Sequence, residues 1–362
     1  MRSLERLVRL GPSGLLRELR HRALTRLHLG QRRDGWAAPP YSLAWWLTER
    51  CNMACEACWV EHARHDEMDA GEWLAVADQL RHAAPRITLT GGEPLLHPEL
   101  LTIVAGVKQR GLYLSLNSNG LLVGEIAHEL VQLGVDDVSI SVDGMHDRHD
   151  AARGTPGCFT RVMAGIEAMV EARGSSSLPI VRVNTVVSAA NVPDLEELHS
   201  ALAELGVDCH SLQHRWFVSA ATFSAHQTES LRRLDCDGRA LRGFLWLAPT
   251  PPLGLDETVR RLRARRCGPR VLLSPELADD ESECYYSSDQ PLRTRCVSRW
   301  YRLTILPDGM ATPCLGYCVG SVRDRPFDQV WNGPELRDFR RELAARGPLP
   351  GCSRCCGLFS DH

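Results

Sequence analysis

The strongest constraint on what this chain can fold into is an alternation that runs from about Ser42 to His214. Short apolar runs of strand length lie near 43–48, 86–90, 112–116, 138–142, 180–187 and 209–213. Between them come amphipathic segments of helical period, near 70–82, 98–110, 125–133, 159–173 and 193–205. Strands alternating with helices predict a parallel sheet, because neighbouring parallel strands need a crossover long enough to pack back on the sheet. Sheets of this kind carry their chemistry at the carboxyl ends of the strands and in the loops that follow.

Chemistry-bearing residues fall at those positions. The first strand leads into Cys51-Asn-Met-Ala-Cys55-Glu-Ala-Cys58-Trp59, and the second, Ile87-Thr-Leu-Thr90, runs into Gly91-Gly92-Glu93-Pro94. Three thiolates at this spacing can reach three irons of one cubic cluster and leave the fourth iron without a protein ligand. A zinc site is the alternative, with His62 beyond Cys58 as the fourth ligand. The paired glycines let a ligand approach the backbone closely. The third strand ends in Asn117-Ser118-Asn119-Gly120, a turn sequence in its own right, and the fourth in Ser141-Val142-Asp143-Gly144. Arg153 follows, and the fixed donor fork of an arginine suits a carboxylate.

Taken in order, these motifs resemble the radical S-adenosylmethionine (radical SAM) superfamily. The resemblance implies an α/β fold, a partial (β/α)6 barrel with its ligand at the carboxyl ends of the strands. It makes Cys51, Cys55 and Cys58 the holders of a [4Fe-4S] cluster whose open iron chelates the methionine moiety of S-adenosyl-L-methionine. It assigns Gly91, Gly92 and Glu93 to the cofactor's amino group, Asn119 to the neighbourhood of the ribose, and Ser141 with Arg153 to the carboxylate. The implied chemistry is reductive cleavage of the cofactor and abstraction of a substrate hydrogen by a 5′-deoxyadenosyl radical. A reductant such as flavodoxin or ferredoxin is the implied partner.

A second cysteine set lies toward the carboxyl end. Leu303 to Cys314 reads as a β-hairpin about Asp308-Gly309, with Cys296 before it and Cys352-Ser-Arg-Cys355-Cys356 after it. By itself this pattern also fits a zinc ribbon. Beside the first half it resembles the auxiliary-cluster extension called a twitch domain, a shortened relative of SPASM, and in particular that of 2-deoxy-scyllo-inosamine dehydrogenases. The resemblance implies one auxiliary [4Fe-4S] cluster on Cys296, Cys314, Cys352 and Cys355, closed to substrate and serving electron transfer. Cys318 and Cys356 are substitute ligands.

The expected reaction is therefore radical oxidation of a small-molecule substrate, a polyol, aminocyclitol or sugar of natural-product metabolism. Redox-neutral epimerisation is an alternative and needs a hydrogen donor, for which Cys209 and Cys284 are the candidates. Cross-linking of a ribosomal peptide is a third reading, and a zinc or electron-transfer protein is the non-catalytic one. His210, His214 and Arg215 follow the last strand and are candidates to meet substrate polar groups.

Size and charge bound the rest. The chain has 362 residues, enough for a large domain and a smaller one, and its net charge of -3 argues against nucleic acid as a partner. Fourteen cysteines without a secretory signal point to a reducing cytoplasm and to metal. No apolar stretch approaches the roughly 20 residues of a transmembrane segment. The expected organisation is a basic amphipathic extension over 1–40, the barrel over 41–218, a helix-and-loop connector over 219–292 and the auxiliary-cluster domain over 293–362.

Overall fold

Each apolar run of the alternating segment is a strand. They are β1 (Ser42–Thr48), β2 (Arg86–Gly91), β3 (Tyr113–Ser118), β4 (Asp137–Ser141), β5 (Ile180–Val187) and β6 (Cys209–His214). The helices α1 (Ala70–Leu80), α2 (Leu100–Gln109), α3 (Ala127–Gln132), α4 (His146–Arg153), α5 (Cys158–Arg173) and α6 (Leu195–Glu204) lie between them. This computed structural model describes residues 34–58, 60, 66–246, 249–314 and 316–359. Most of the basic extension read over 1–40, and His62, lie outside the described residues.

Residue pattern explains the layering. In β1, Leu43, Trp45 and Leu47 are wholly buried and face the helices, where Trp45 stacks on Trp73 of α1 at 4.8 Å between ring centroids. Because strand side chains alternate, Trp46 points to the other face of the sheet. Helix α1 begins with a capping box: Glu72 N donates to Asp69 Oδ1 at 2.8 Å, and Asp69 N donates to Glu72 Oε2 at 2.9 Å. It buries Trp73, Val76, Ala77 and Leu80, and removing a side chain such as Val76 or Leu80 from water is worth about 1.5–3 kcal/mol.

The sheet is larger than the alternating segment. It has nine strands in the order β7-β6-β5-β4-β3-β2-β1-β8-β9, where β7 is Arg270–Ser274, β8 Arg302–Ile305 and β9 Ala311–Thr312. Every neighbouring pair is parallel except β8 with β9. Strand β7 lies inside the segment read as a helix-and-loop connector and pairs with β6, so that segment extends the sheet. Its other elements are α7 (Ala220–Leu234), α8 (Leu255–Ala264) and α9 (Asp279–Ser287). The expected hairpin about Gly309 is present: φ is +84° there, and Leu306 N bonds Met310 O at 2.8 Å. Its first arm, β8, pairs in parallel with β1, from Ser42 opposite Arg302 to Trp45 opposite Ile305. The second cysteine set is thus bonded to the edge of the barrel sheet. The short helix α10 (Phe327–Trp331) and α11 (Pro334–Arg346) close that end. Among the described residues no helix is long and apolar enough to cross a membrane.

Candidate functional site

The loop carrying the first three cysteines is held on both sides by glycines. A Cβ on Gly91 would lie 2.2 Å from Thr48 O, and one on Gly92 would lie 2.4 Å from Arg50 O and 2.6 Å from Glu49 O. These glycines therefore let the chain entering the cysteine loop pass against the end of β2, where sequence alone suggested an approach by ligand. On the other side Gly154 ends α4 at φ +60°, and its Cβ would lie 2.2 Å from Ala54 O. Glu56 N completes the clamp with a 3.1 Å bond to Ala152 O.

Polar side chains reach the thiols from the end of β3 and from the last turn of α4. Asn119 Nδ2 lies 3.9 Å from Cys51 Sγ and donates to Asn52 Oδ1 at 2.7 Å. Arg153 Nη1 lies 3.9 Å from Cys55 Sγ, while its Nη2 pairs with Asp143 at 2.7 Å. Burial raises the Cys51 and Cys58 thiols above their ordinary value, and Cys55 stands close enough to each to raise it further. A cation shared by the three sulfurs would reverse that shift.

Glu93 is fully buried, and its N donates to Arg50 O beside the cysteine loop at 2.7 Å. Its carboxylate accepts from Leu95 N at 3.1 Å, Ser118 Oγ at 2.9 Å and Asn119 N at 2.7 Å. Desolvation outweighs these bonds and pushes its pKa up to about 7. Glu93 thus ties the end of β3 to the end of β2 and sets the position of Asn119. Ser141 closes β4 opposite Asn184 of β5. Residues in register on adjacent parallel strands share a face, and Asn184 Oδ1 is buried with no hydrogen-bond partner among the described residues. Arg153 Nε is in the same condition. Sequence reading missed Asn184. Its signal was a polar residue at an alternate position of the β5 run Ile-Val-Arg-Val-Asn-Thr-Val-Val.

The second set also comes together. Cys296, Cys314, Cys352 and Cys355 line one cavity of about 860 Å³, and Cys318 and Cys356 reach the same cavity. None of the fourteen cysteines forms a disulfide. Burial pushes Cys314 up to about 11 and raises Cys352 as well. Cys355 and Cys356 share a hydrogen bond that raises the first thiol and lowers the second. Desolvated thiols in such number fit a cationic group that would accept them as thiolates. Among the described residues no three His, Cys, Asp or Glu side chains converge on the spacing of a single metal ion; the thiols face shared space.

That cavity also reaches Glu49 and Val60, the residues on either side of the first cysteine loop, and Trp46 of β1. Its remaining wall is largely apolar, with Trp216, Phe223 of α7, Leu241 and Leu306, and with Arg239 and Arg242 among its charged residues.

Other candidates are placed differently. Cys209 is the first residue of β6, at the amino end of the strand, where Arg182 Nη1 lies 3.0 Å from its sulfur. Cys209 therefore lies at the other end of the sheet from Asn119 and the first cysteine loop. Cys284 is exposed on α9 and does not line the cavity. His210 is fully buried between Thr185 and His199, at 3.0 Å and 3.3 Å, and burial pushes it down to about 3. It belongs to the core. His214 bonds Tyr286 Oη at 2.8 Å, and its Nε2 is buried without a partner among the described residues. The Arg215 guanidinium stacks 4.4 Å above the Trp246 ring.

Comparison with known proteins divides the chain at the same two cysteine sets. The model of the radical SAM superfamily matches residues 47–208, and that of the SPASM iron–sulfur cluster-binding domain matches residues 296–356. A PqqA peptide cyclase of Ruegeria pomeroyi is 31% identical over 333 residues, covering 86% of this chain and 78% of the relative. The chain belongs to the radical SAM superfamily. An AdoMet-dependent heme synthase of Methanosarcina barkeri is 27% identical over 321 residues, covering 83% of this chain and 84% of the relative. The crystal structure of Streptococcus suis SuiB with S-adenosylmethionine bound superposes with a TM-score of 0.63 at 14% identity, over 83% of this chain and 68% of that one, which shows the shared fold. As a radical SAM enzyme with a SPASM domain, the protein uses S-adenosyl-L-methionine, a [4Fe-4S] cluster and auxiliary iron–sulfur, and it needs a reductant. These relatives carry the names of a heme synthase and a peptide cyclase, and neither is a 2-deoxy-scyllo-inosamine dehydrogenase.

Proposed function

We propose that this radical SAM enzyme oxidises a substrate with a large apolar body and anionic groups, held in the cavity between the two cysteine sets. The observation that carries the reading is the cavity itself. It runs from residues flanking the first cysteine loop to the cysteines of the SPASM domain, and its walls are mainly aromatic and aliphatic. When bound, S-adenosylmethionine and its cluster supply a 5′-deoxyadenosyl radical that takes a carbon-bound hydrogen.

The chain's own residues supply position. Cys51, Cys55 and Cys58 are the ligands of the reactive cluster, on a loop clamped by Gly91, Gly92 and Gly154. Ser141, Asn184 and Arg153 offer polar groups to the amino acid end of the cofactor; Asn184 Oδ1 is an acceptor suited to an ammonium, and Arg153 Nε a donor suited to a carboxylate. Asn119 stands beside Cys51, and Glu93 holds it there from behind. Cys296, Cys314, Cys352 and Cys355 ligate one auxiliary cluster placed to take the electron that an oxidised substrate releases. Trp46, Trp216 and Phe223 pack the substrate body, and Arg239 and Arg242 meet its acidic groups.

An apolar wall suits a polyol or aminocyclitol poorly, because each hydroxyl buried without a partner costs about 1–3 kcal/mol. A heme-type molecule or a peptide, the kinds of molecule named in its relatives' descriptions, is the better match. The test is formation of 5′-deoxyadenosine by the reconstituted enzyme with candidates of each class. A carboxylate-bearing apolar substrate should raise its formation above the uncoupled rate, and Phe223→Asp should remove the increase while leaving iron content unchanged. Coupling by aminocyclitols alone would contradict the substrate reading.

A further inference from the structure

Arg299 lies on the short 3-10 turn Ser298–Trp300, between Cys296 and β8, and lines the cavity with the SPASM-domain cysteines. One Nη donates to the carbonyl of Pro313, the residue before Cys314. A Cβ placed on Gly357 would sit 3.0 Å from the other Nη and 3.4 Å from Cys355 Sγ, so the guanidinium and that sulfur border the same spot. Its Nε is shielded from solvent and has no hydrogen-bond partner among the described residues. The acidic groups it faces are the thiols of Cys314, Cys296, Cys355 and Cys352. A guanidinium cannot shed its proton, and a buried cation without an anion is strongly unfavourable. The arrangement is complete only when the space beside Arg299 carries negative charge.

Two of the four sulfurs also have neutral donors beside them. Ser298 Oγ lies 3.3 Å from Cys296 Sγ, and Gly357 N lies 3.4 Å from Cys355 Sγ. Net charge, hydrogen bonds to sulfur and solvent exposure are the levers that set the potential of an iron–sulfur centre.

We propose that Arg299 is the fixed charge partner that raises the reduction potential of the auxiliary centre and so makes it an electron acceptor. The proposal rests on the reading above that Cys296, Cys314, Cys352 and Cys355 hold a cluster. Reduction adds one negative charge next to a cation that stays put, and the two attract. The electron is the one a substrate carbon radical gives up as it loses a proton and closes a double bond. No bond to Arg299 forms or breaks.

The test is an anaerobic redox titration, read by electron paramagnetic resonance, in a background with Cys51, Cys55 and Cys58 all changed to alanine so that the auxiliary centre is observed alone. Iron is counted in every sample. Arg299→Gln and Arg299→Met should each lower the equilibrium constant for reduction at least tenfold, which is 59 mV for a one-electron couple. Arg299→Lys should restore at least half of that shift. Potentials within twofold of one another in equilibrium constant, with iron retained, would overturn the proposal. Loss of iron from both neutral variants would also overturn it, making Arg299 a support of the site. If the background protein with Arg299 intact holds no iron, the auxiliary-cluster reading fails instead.

Discussion

The two cysteine sets are held in opposite ways. The first stands on a loop that touches its surroundings mostly through backbone, at Thr48, Arg50, Ala54 and Ala152, with glycines where a side chain would collide. Its polar neighbours, Asn119 and Arg153, come from the end of β3 and the last turn of α4. The second set lines one cavity together with Arg299, its four thiols drawn from a turn, a hairpin arm and the carboxyl-terminal segment. The first arrangement fixes three ligands and leaves one direction open to a ligand that comes and goes. The second supplies four thiols and places a fixed cation, Arg299, on the same cavity wall.

The sharpest way to break this comparison is to remove one thiol of the first set. Cys55→Ala should reduce cleavage of S-adenosylmethionine to background while the iron of the SPASM domain stays in place. Chromatographic assay of 5′-deoxyadenosine beside an iron count checks both halves, and retained cleavage would sink the assignment of the reactive centre. The clamp is probed next. Gly92→Ala drives a Cβ into two carbonyls and should cost about 2–4 kcal/mol, with iron lost from the first centre alone. Gly157→Ala is its control, since at φ +73° it meets nothing within 4 Å and should cost about 1–2 kcal/mol from backbone strain. Equal losses in chemical denaturation would show that the close contacts of Gly92 carry no weight.

A smaller effect sharpens the account of the cofactor side. Asn184→Ala removes a buried, unpartnered amide and should weaken S-adenosylmethionine binding about tenfold, or roughly 1.4 kcal/mol, without changing iron content. Isothermal titration with the cofactor decides it, and unchanged affinity would remove Asn184 from the site. The smallest effect concerns the barrel that carries both centres. Burial lowers His210 to about 3, so the unfolded chain takes up the proton first as pH falls below its ordinary value of about 6.5. Its contribution is present above that value and is lost as pH falls toward the folded one. His210→Gln should flatten the acid side of the stability curve by about one proton, near 1.4 kcal/mol per pH unit. Denaturation midpoints between pH 6.5 and 4 that keep the wild-type slope would contradict it.

Much of this was legible in the sequence because strand ends and cysteine spacing are local features. The six strands of the alternating segment and the hairpin about Gly309 lie within a residue or two of their expected places. What stayed hidden depends on pairing between distant segments. Strand β8 joins β1 across some 260 intervening residues in a register that no local pattern encodes, and β7 is a short run inside a segment dominated by prolines and charge. Helix α4 was not seen because its sequence, His-Asp-Arg-His-Asp-Ala-Ala-Arg, has no apolar face and buries only His149. The bonds from Glu93 to Ser118 and Asn119 join two strand ends that are distant in sequence, and no local pattern encodes them. Arg299 read as one arginine among many, since its meaning comes from the four thiols that the fold gathers around it.

The central claim is that one chain carries two separate iron–sulfur centres on these two cysteine sets. Iron and sulfide analysis with Mössbauer spectroscopy, on reconstituted wild type and on the Cys51/Cys55/Cys58 triple alanine variant, tests it most directly. The account predicts about eight irons falling to about four, all of the cubane type. About four falling to none would contradict it, leaving the SPASM-domain cysteines without a cluster and the substrate radical without an electron acceptor in this chain.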